Sequence, residues 1–565
     1  MSITKSQTEK IGSIFNGNSF IIPKYQRKYS WTNIERMALW DDIQESMSDN
    51  MNHFLGTLTF KEFKTEYFTI DKTYEVIDGQ QRITTLFILL NSLIHKLHDE
   101  NIKNELIRAC IGINEPKIKL LGDDEQFFNT LIKNHIHINR NDIIKRSQRF
   151  LVKAKEEFDS LTNALSSENI SNMIMFIRDR IEVLVFNVDD QVQAVKMFSI
   201  INDRGLPLSV LDKTKSALMM FSTLKLNNSL NEDINNSFES IYNSYDEIIE
   251  QKEILKILGR FEETTLFTHH YYSSRKLFSN IWTNRDAADT IFNNIKNKCE
   301  EYKNDDAQLS IFISSYINDF KDFCENYAGL IKTISKNDTY MKCFQFLEFS
   351  AILYPLIVRL FMQKKLDSLI NILIAIEVRI YKLGKKSPIA DIYWLSSSVA
   401  EKDLALEEIK NTLIWFNEKF MNDYSFKNYL DTDVYGNNAV KYILMEYNNE
   451  NIDLDTYRFL QIEHIFSENT NFNVSDYGFS DDYDYEKDRI GNLLLLEQNI
   501  NQSIQDSPPI NKVEGYLGSS IQNTRNIGGK INDGGFDRSS IDIRTNEIIE
   551  FCLKKFKLSE KLLSI

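Results

Sequence analysis

The chain has 565 residues, is 42% hydrophobic and 26% charged, and carries a formal net charge of −15. This length predicts two to four domains, and the composition is that of a globular protein. An acidic chain is not expected to coat nucleic acid through a general positive field. Any contact with nucleic acid therefore requires a local patch or a metal-bridged site.

The sequence predicts a cytoplasmic protein. Residues 1–15 are polar and lack the apolar core of a secretory signal. The most apolar windows, 86–94 and 351–362, are shorter than a bilayer span. The five cysteines form no CxxC pair, which excludes a zinc ribbon and a disulfide scaffold and fits a reducing compartment.

Three regions differ in their pattern along the chain. Residues 1–220 predict an α/β domain with a small sheet, with strands at 21–22, 54–60, 74–77 and 183–188 and helices at 33–47, 83–98 and 147–161. Residues 221–445 show helical spacing, most clearly at 311–334, 347–361 and 366–383. Residues 446–565 alternate short strand-like pieces with Gly, Asn and Asp clusters, such as 526–536, before a final helix near 545–558.

The most informative segment joins a β-branched run to an apolar helix through a polar turn. The run ends at Asp78 and Gly79, and Gln80, Gln81 and Arg82 follow before the helix pattern begins. A helix N-terminus presents backbone N–H groups to an anion, and an arginine can bind a phosphate through two hydrogen bonds. The segment therefore predicts an anion-binding corner, with an ordinary strand-to-helix turn as an equally weighted alternative.

Two further segments could contribute to that corner. Residues 22–31 form a basic and aromatic cluster that could stack on a base or clamp a phosphate, with Gln26 and Arg27 as contributors. Taken alone, the cluster more often reflects aromatic anchors of a sheet. Residues 201–209 place Asn202 and Arg204 in a loop, where binding residues concentrate, but Ser209 and Asp212 also have the spacing of a helix cap.

A third constellation lies near the C-terminus. Glu463 and His464 end a strand-like run, and Asn492 and Asn501 follow within forty residues. A histidine takes a proton from water near neutral pH, and oxygen ligands hold a metal that stabilises the charge on phosphate. Neighbouring strand residues face opposite ways, so Glu463 and His464 can serve one centre only where the strand ends or bends.

These constellations, in this order, resemble the GmrSD-type modification-dependent (type IV) restriction endonucleases and related phage-defence proteins. Residues 78–82 match the DGQQR box of that family, and the similarity extends to 23–27, 56–58, 202–205, Leu208 and Lys215. The resemblance implies an α+β multidomain protein. Its expected parts are a ParB-like (ParB/sulfiredoxin-related) α/β domain at 1–220, an all-α middle domain at 221–445 and a ββα-metal (HNH-like) domain at 446–565.

The resemblance also implies site residues and cofactors. The N-terminal domain is expected to bind and hydrolyse a nucleoside triphosphate, coupled to DNA cleavage, through Gln26, Arg27, Asp78, Gly79, Gln80, Gln81, Arg82 and Thr84. In the C-terminal domain His464 is the expected general base and Asn492 the central asparagine, with Glu463 and Asn501 on the side of a Mg²⁺ or Mn²⁺ ion. Lys512 stands where the family often has a lysine, whereas Phe466 and Ser467 replace its usual leucine-proline.

The leading hypothesis is therefore a phage-defence DNA endonuclease regulated by nucleotide and directed at modified DNA. A toxin nuclease aimed at RNA or host DNA, and a non-enzymatic nucleotide-binding adaptor, remain alternatives. A homo-oligomer is left open, and no membrane partner is expected.

Overall fold

The computed structural model describes residues 6–22, 26–63, 72–120, 122, 124–133, 143, 145–187, 209–255, 261–402, 404–448 and 452–558. The predicted contributions of residues 23–25, 202–205 and Leu208 lie outside these ranges. Within them, no helix is both long enough and apolar enough to cross a membrane.

The chain divides into two compact units. The N-terminal unit comprises Met1–Glu250 and Ala288–Cys324, and the C-terminal unit comprises Gln251–Ala287 and Glu325–Ile565. The three-domain boundaries expected from the sequence stay a prediction.

A six-stranded mixed sheet organises the N-terminal unit. Its strands are β1 (Ser6–Lys10), β2 (Asn18–Ile22), β3 (His53–Phe63), β4 (Lys72–Asp78), β5 (Ile118–Leu120) and β6 (Ile181–Asn187). The order across the sheet is β1-β6-β3-β4-β2-β5. The β3–β4 and β1–β6 pairs are antiparallel, whereas β2 runs parallel to both β4 and β5 and β3 runs parallel to β6. This arrangement confirms the mixed α/β character predicted for the first part of the chain.

Helices complete the N-terminal unit. They are α1 (Ile11–Phe15), α2 (Asn33–Ser48), α3 (Gln80–His95), α4 (Glu100–Leu106), α5 (Glu125–Lys133), α6 (Arg146–Asn163), α7 (Ser167–Arg180), α8 (Val210–Lys225), α9 (Asn231–Leu255), α12 (Ala288–Glu301) and α13 (Asp306–Ile334), numbered with the C-terminal helices below. The last residues of α9 and α13 belong to the C-terminal unit. A π-helical segment, Ile107–Ile111, follows α4. Every residue of α3 from 83 to 94 is buried, so this helix forms the centre of the unit's hydrophobic core rather than a surface layer.

The C-terminal unit is mostly helical. Its helices are α10 (Glu263–Tyr272), α11 (Arg275–Phe278), α14 (Asp338–Met341), α15 (Tyr354–Met362), α16 (Leu366–Ile376), α17 (Ile389–Glu401), α18 (Leu406–Met421), α19 (Asp423–Leu430), α20 (Asn438–Asn448), α21 (Leu454–Phe459), α22 (Tyr483–Glu486), α23 (Gln498–Ile504), α24 (Pro509–Leu517), α25 (Gln522–Asn532) and α26 (Arg538–Lys555). Short 3₁₀ turns occur at Ser279–Ile281, Ala351–Leu353, Val474–Tyr477 and Ile490–Asn492. Two π-helical segments, Lys342–Phe346 and Glu377–Leu383, interrupt the α-helical geometry. An antiparallel pair, β7 (Leu460–His464) and β8 (Leu493–Glu497), forms its sheet.

Several sequence-based expectations need correction. The run at 347–361 is not one helix, because Glu348 has a φ of +56° and the α-helix starts only at Tyr354. The run at 366–383 ends in a π-helical segment rather than a uniform helix. The Gly- and Asn-rich stretch at 526–536 is not strand-like, since residues up to Asn532 belong to α25. The strands β1 and β5 were not predicted, because each is too short to show a clear alternation.

Two candidate functional sites

The N-terminal corner depends on two glycines with left-handed backbone geometry. Gly79 separates β4 from α3 with a φ of +89°, and a Cβ at this position would collide with the side chain of Leu58. Gly56 in β3 has a φ of +107°, and a Cβ there would collide with the guanidinium group of Arg82. Glycine is therefore required at both positions for the helix N-terminus and Arg82 to approach the sheet.

The paired glutamines of the corner hold the preceding basic segment in place. Gln80 donates a hydrogen bond to the carbonyl of Arg27 (2.9 Å). Gln81 donates to the carbonyl of Lys28 (3.1 Å) and accepts from the backbone N–H of Ser30 (3.0 Å). The structure thus brings the two predicted segments together, and these amides serve as the contacts between them.

Two further contacts complete this attachment. Gln26 donates to the carbonyl of Ile77 at the end of β4 (3.0 Å). Tyr29 and Thr85 share a buried hydrogen bond of 2.8 Å, and burial raises the pKa of Tyr29 to about 12. Thr84 is also buried, so its side chain lies in the core of α3 rather than at the surface of the corner.

The charged groups of the corner come from three parts of the sequence. Arg82 lies 3.4 Å from the carboxylate of Asp78 and donates to the carbonyl of Leu55 (3.4 Å). Arg27 lies 3.9 Å from the carboxylate of Asp212 in α8. Burial raises the pKa of Asp78, while Arg82 opposes that shift and the Asp212 carboxylate adds to it. The corner therefore combines two arginines and two carboxylates.

Asp212 also connects α8 to α9. Ser209 caps α8 by accepting from the backbone N–H of Asp212 (3.2 Å), which confirms the predicted cap. The carboxylate of Asp212 accepts from Tyr242 (2.6 Å), a contact that the cap spacing does not predict. Burial lowers the pKa of Lys215, one turn further along α8, to about 8 against the opposing effect of Asp212.

In the C-terminal unit, His464 ends β7 opposite Leu493, the first residue of β8. Its Nε2 lies 2.9 Å from Oδ1 of Asp488, and the ring of Tyr435 lies 4.2 Å from the imidazole ring, centroid to centroid. A carboxylate only accepts hydrogen bonds, so Nε2 carries the proton and Nδ1 remains as the acceptor. The His464 side chain is 8% exposed.

Asp488 is fixed by its backbone and by the ion pairs of the next residue. Its carbonyl accepts from the N–H groups of Val434 and Tyr435 (3.1 and 3.3 Å), so the segment that carries Tyr435 is bound to the partner of His464. Arg489 then pairs with Asp431, Glu486 and Asp542 at 2.7, 2.7 and 2.5 Å. Arg538 in α26 joins the same network through Glu486, Asp542 and Asp482.

Asn492 is fully buried and shapes the chain that follows His464. Its Oδ1 accepts from the N–H of Phe466 (2.9 Å), and its Nδ2 donates to the carbonyls of Phe466 (2.9 Å) and Lys487 (2.7 Å). Phe466 packs in an aromatic cluster with Tyr477 and Phe479. The turn after His464 is therefore ordered by packing and by the Asn492 amide, without the leucine-proline pair that the family usually has there.

Comparison with protein-family models assigns both regions. The GmrSD restriction endonuclease N-terminal domain matches residues 11–219, and the GmrSD restriction endonuclease C-terminal domain matches residues 416–551. The chain belongs to the GmrSD restriction endonuclease family. It is a phage-defence restriction nuclease with DNA as its substrate, as the resemblance predicted. No curated protein matches the chain.

In this GmrSD-family chain, the structure does not bring the two residues expected on the metal side to the ring of His464. The Oε1 atom of Glu463 lies 2.6 Å from Nζ of Lys512 and accepts from Tyr516 (3.1 Å). Asn501 donates to the side chain of Gln461 (2.9 Å). Residues 461 and 463 share one face of β7, and residue 464 faces the other way.

Few side chains that could bind a metal ion lie together near His464. Within the described ranges, no group of three or more His, Cys, Asp or Glu side chains is arranged to hold a metal ion. Burial raises the pKa of Glu463 and lowers that of Lys512, and in each case the charge of the partner opposes the shift. As arranged, these residues form a buried ion pair and do not fit an open metal site.

Sequence reasoning missed three residues of the GmrSD-family sites. Asp488 lies four residues before the predicted site residue Asn492, so its proximity to that residue was an available signal. Tyr435 and Tyr242 are distant in sequence from the residues they contact, and no local spacing predicts those contacts.

Proposed function

We propose that this chain is a nucleotide-regulated endonuclease that cleaves modified DNA, with His464 as the general base of an HNH-type site. The hydrogen bond between His464 Nε2 and Asp488 carries the proposal. A histidine oriented by a carboxylate is a common arrangement for proton transfer in hydrolysis. The antiparallel β7–β8 pair followed directly by α23 also has the element order expected of a ββα-metal module.

The proton transfer follows from the chemistry of the pair. Asp488 accepts a hydrogen bond from the Nε2–H group, which fixes the ring and leaves Nδ1 able to take a proton from water. The hydroxide formed attacks the phosphodiester phosphorus, the P–O bond to the leaving sugar oxygen breaks, and that oxygen takes a proton from water. The developing positive charge on the ring is stabilised by the Asp488 carboxylate. Asn492 contributes by holding the chain immediately after His464.

Tyr435 covers the proposed base. Its ring lies 4.2 Å from the His464 ring, and little of the His464 side chain is exposed. Tyr435 therefore contributes to the burial of the proposed base. Tyr435 lies in the connection between α19 and α20, next to Gly436.

Mg²⁺ or Mn²⁺ dependence is also proposed, from the resemblance alone. A bound ion would supply charge stabilisation at the phosphate. Glu463 and Asn501 are its expected ligands, but both are engaged by other side chains on the opposite face of β7. We derive no step through a metal.

Nucleotide regulation is proposed for the N-terminal corner. Arg82 at the start of α3 and Arg27 on the attached segment provide positive charge beside backbone N–H groups of a helix N-terminus, which suits a triphosphate. Gln26, Gln80 and Gln81 act by holding that segment against the corner. Hydrolysis of the triphosphate is part of the same proposal.

The test is cleavage of plasmid and of modified phage DNA by the purified chain, with and without each nucleoside triphosphate and with Mg²⁺ or Mn²⁺ present. His464→Ala should abolish cleavage while the fold is retained, and Arg82→Ala should remove the effect of nucleotide. Cleavage that persists in folded His464→Ala would refute the assigned base. Degradation of RNA with the DNA left intact would favour the toxin alternative.

A further inference from the structure

A cavity of about 470 Å³ lies in the C-terminal unit, beside the connection that carries Tyr435. This volume falls within the range of about 300–1,000 Å³ found for pockets that hold small organic ligands. Its walls come from the Lys342–Phe346 and Glu377–Leu383 segments, from α20 and α21, and from Gly436 and Ile462. None of the residues predicted from the sequence to form a site lines it.

The backbone around this cavity is unusually irregular. Gln345, Phe346 and Lys382 line it from the two π-helical segments of the C-terminal unit. Glu348 and Gly436 also line it, with φ values of +56° and +78°. Single π-helical turns and positive φ at non-glycine residues concentrate at functional sites, because they sacrifice regular geometry to place particular side chains.

One wall presents an unsatisfied acceptor. Gln345 is 9% exposed, and its Oε1 has no hydrogen-bond partner among the described residues. A buried polar atom of this kind is unfavourable unless something donates to it. A ligand with an N–H or O–H group in the cavity would satisfy it.

The other walls carry positive charge. Lys441 lies 4.3 Å above the ring of Tyr457, and Lys382 and Arg458 also line the cavity. Lys382 and Arg458 lie 3.7 and 3.5 Å from their carboxylate partners, which is longer than a charge-assisted hydrogen bond of about 2.7–2.9 Å. Glu348 contributes the one negative side chain among the lining residues. In a chain with a net charge of −15, this local excess of cations favours an anionic ligand.

The cavity adjoins the proposed nuclease site. Ile462, which lines it, lies two residues before His464 and on the same face of β7, about 7 Å away along the strand. Gly436 follows Tyr435, whose ring covers His464. A ligand in the cavity and a phosphodiester at His464 can therefore belong to one polynucleotide chain.

We propose that this cavity binds a nucleotide of the DNA strand that is cut at His464. The phosphate lies against Lys441, Arg458 and Lys382, and an N–H group of the base donates to Oε1 of Gln345. The inference rests on the proposed function of the His464 site. It assigns the cavity a role in holding the strand next to the scissile phosphate.

The test uses the full chain with His464→Ala, which prevents turnover, and two cavity variants. Lys441→Met removes the charge but keeps the packing of the stem on Tyr457, and Gln345→Met removes the acceptor with little change in volume. Lys419→Met is the matched control, since Lys419 also lies over an aromatic ring, 4.7 Å from Trp415, and pairs with Asp391. Thermal unfolding reports the fold of each variant, and Gln345→Met should not lower the Tm, because it removes an unpaired polar atom.

Binding is measured by calorimetry with a deoxynucleoside 5′-monophosphate and with deoxyribose 5-phosphate, and by anisotropy with a short labelled single-stranded oligonucleotide. Lys441→Met should weaken all three ligands by about tenfold, as expected for a lost charge-assisted contact. Gln345→Met should weaken the nucleotide and the oligonucleotide by about fivefold and leave the sugar phosphate unchanged. Lys419→Met should change none of them.

Three outcomes would overturn the inference. The first is unchanged oligonucleotide binding in both cavity variants, and the second is an equal loss of affinity in the Lys419→Met control. The third is weaker binding of the free monophosphate by the cavity variants with oligonucleotide binding unchanged, which would make the cavity a site for free nucleotide. Cleavage by the otherwise unsubstituted chain and by a His464→Ala variant is measured alongside. Failure of the nuclease proposal then appears as absent His464-dependent cleavage, whereas failure of the cavity proposal appears as unchanged oligonucleotide binding.

Discussion

Lys512→Met removes an ammonium group that lies 2.6 Å from Glu463 and 2.7 Å from the carbonyl of His464. The Lys512 side chain is 1% exposed and that of Glu463 is 9% exposed, so solvent screens the pair weakly. Among the described residues, the variant leaves the buried Glu463 carboxylate with the Tyr516 hydroxyl as its hydrogen-bond donor. We expect this loss to destabilise the β7–β8 pair.

The size of the effect follows from the geometry. At 2.6 Å and an effective dielectric of about 20, the attraction is roughly 6 kcal/mol, which desolvation of both groups largely offsets. Breaking such a pair from one side typically costs about 3–5 kcal/mol. Glu463→Leu should cost a similar amount. The double variant removes both charges and should cost only about 1–3 kcal/mol, because what remains lost is mainly hydrogen bonding.

Hydrogen exchange of the β7–β8 amides measures these local free energies in the full chain. The sum of the stability losses in the two single variants should exceed the loss in the double variant by several kcal/mol. This difference is the coupling energy of the pair. The pH dependence gives a second signature. The pKa of Glu463 is raised in the folded state, so the deficit of Lys512→Met should shrink as the pH falls and the carboxylate takes up a proton. The coupled ion pair would be refuted if the local stability of Lys512→Met lay within about 1 kcal/mol of the parent chain, or if the losses in the two single variants added up to the loss in the double variant.

Three further predictions concern other parts of the chain. Gly79→Ala places a side chain on a residue with a φ of +89°. The variant should lower stability by about 1–3 kcal/mol in thermal unfolding and should weaken triphosphate binding. Gly529→Ala, where a Cβ meets open space, should have neither effect. Burial lowers the pKa of His269 from its usual 6.5 to about 4, so the unfolded chain binds the proton first as the pH falls. About 3 kcal/mol of folding stability should therefore be lost between pH 6.5 and 4. The His269→Phe variant should lose less stability over the same acid titration. Asn492→Ala leaves two buried backbone groups of Phe466 and the partly buried carbonyl of Lys487 without their side-chain partner, and it should lower the protection of the β7–β8 amides by about 3 kcal/mol. Unchanged protection would contradict the role given to this amide.

The turn of the N-terminal corner was predictable from the sequence because Gly79 and the helix start after it are local features. The contacts of Gln80 and Gln81 with Arg27 and Lys28 join residues 53 positions apart, and no sequence spacing encodes them. Asp212 was predicted only as part of a helix cap. Its position beside Arg27 depends on how α8 packs in the N-terminal unit, which no sequence spacing encodes.

In the C-terminal site, too, some features were predictable from the sequence and others depend on how the chain packs. His464 and Asn492 were both selected by their polar companions. They lie where β7 ends and just before β8 begins. Strand alternation indicated that Glu463 would share a centre with His464 only at a bend. In the structure β7 ends at His464 without turning Glu463 toward the ring, because Lys512 holds the carboxylate on the other face. Gln345 carried no sequence signal, since its unpaired oxygen arises from a π-helical segment inside an apolar run.

The role of His464 as general base is tested most directly by nicking and linearisation of supercoiled DNA by the purified chain, compared with His464→Ala and Asp488→Asn. Asp488→Asn keeps the shape of the side chain but removes the negative charge that accepts from Nε2 and stabilises the protonated ring. We expect cleavage by the parent chain, no cleavage by His464→Ala and a loss of about 100-fold or more in Asp488→Asn, as expected for an impaired general base. Cleavage at the parent rate by either variant, with its fold intact, would contradict it.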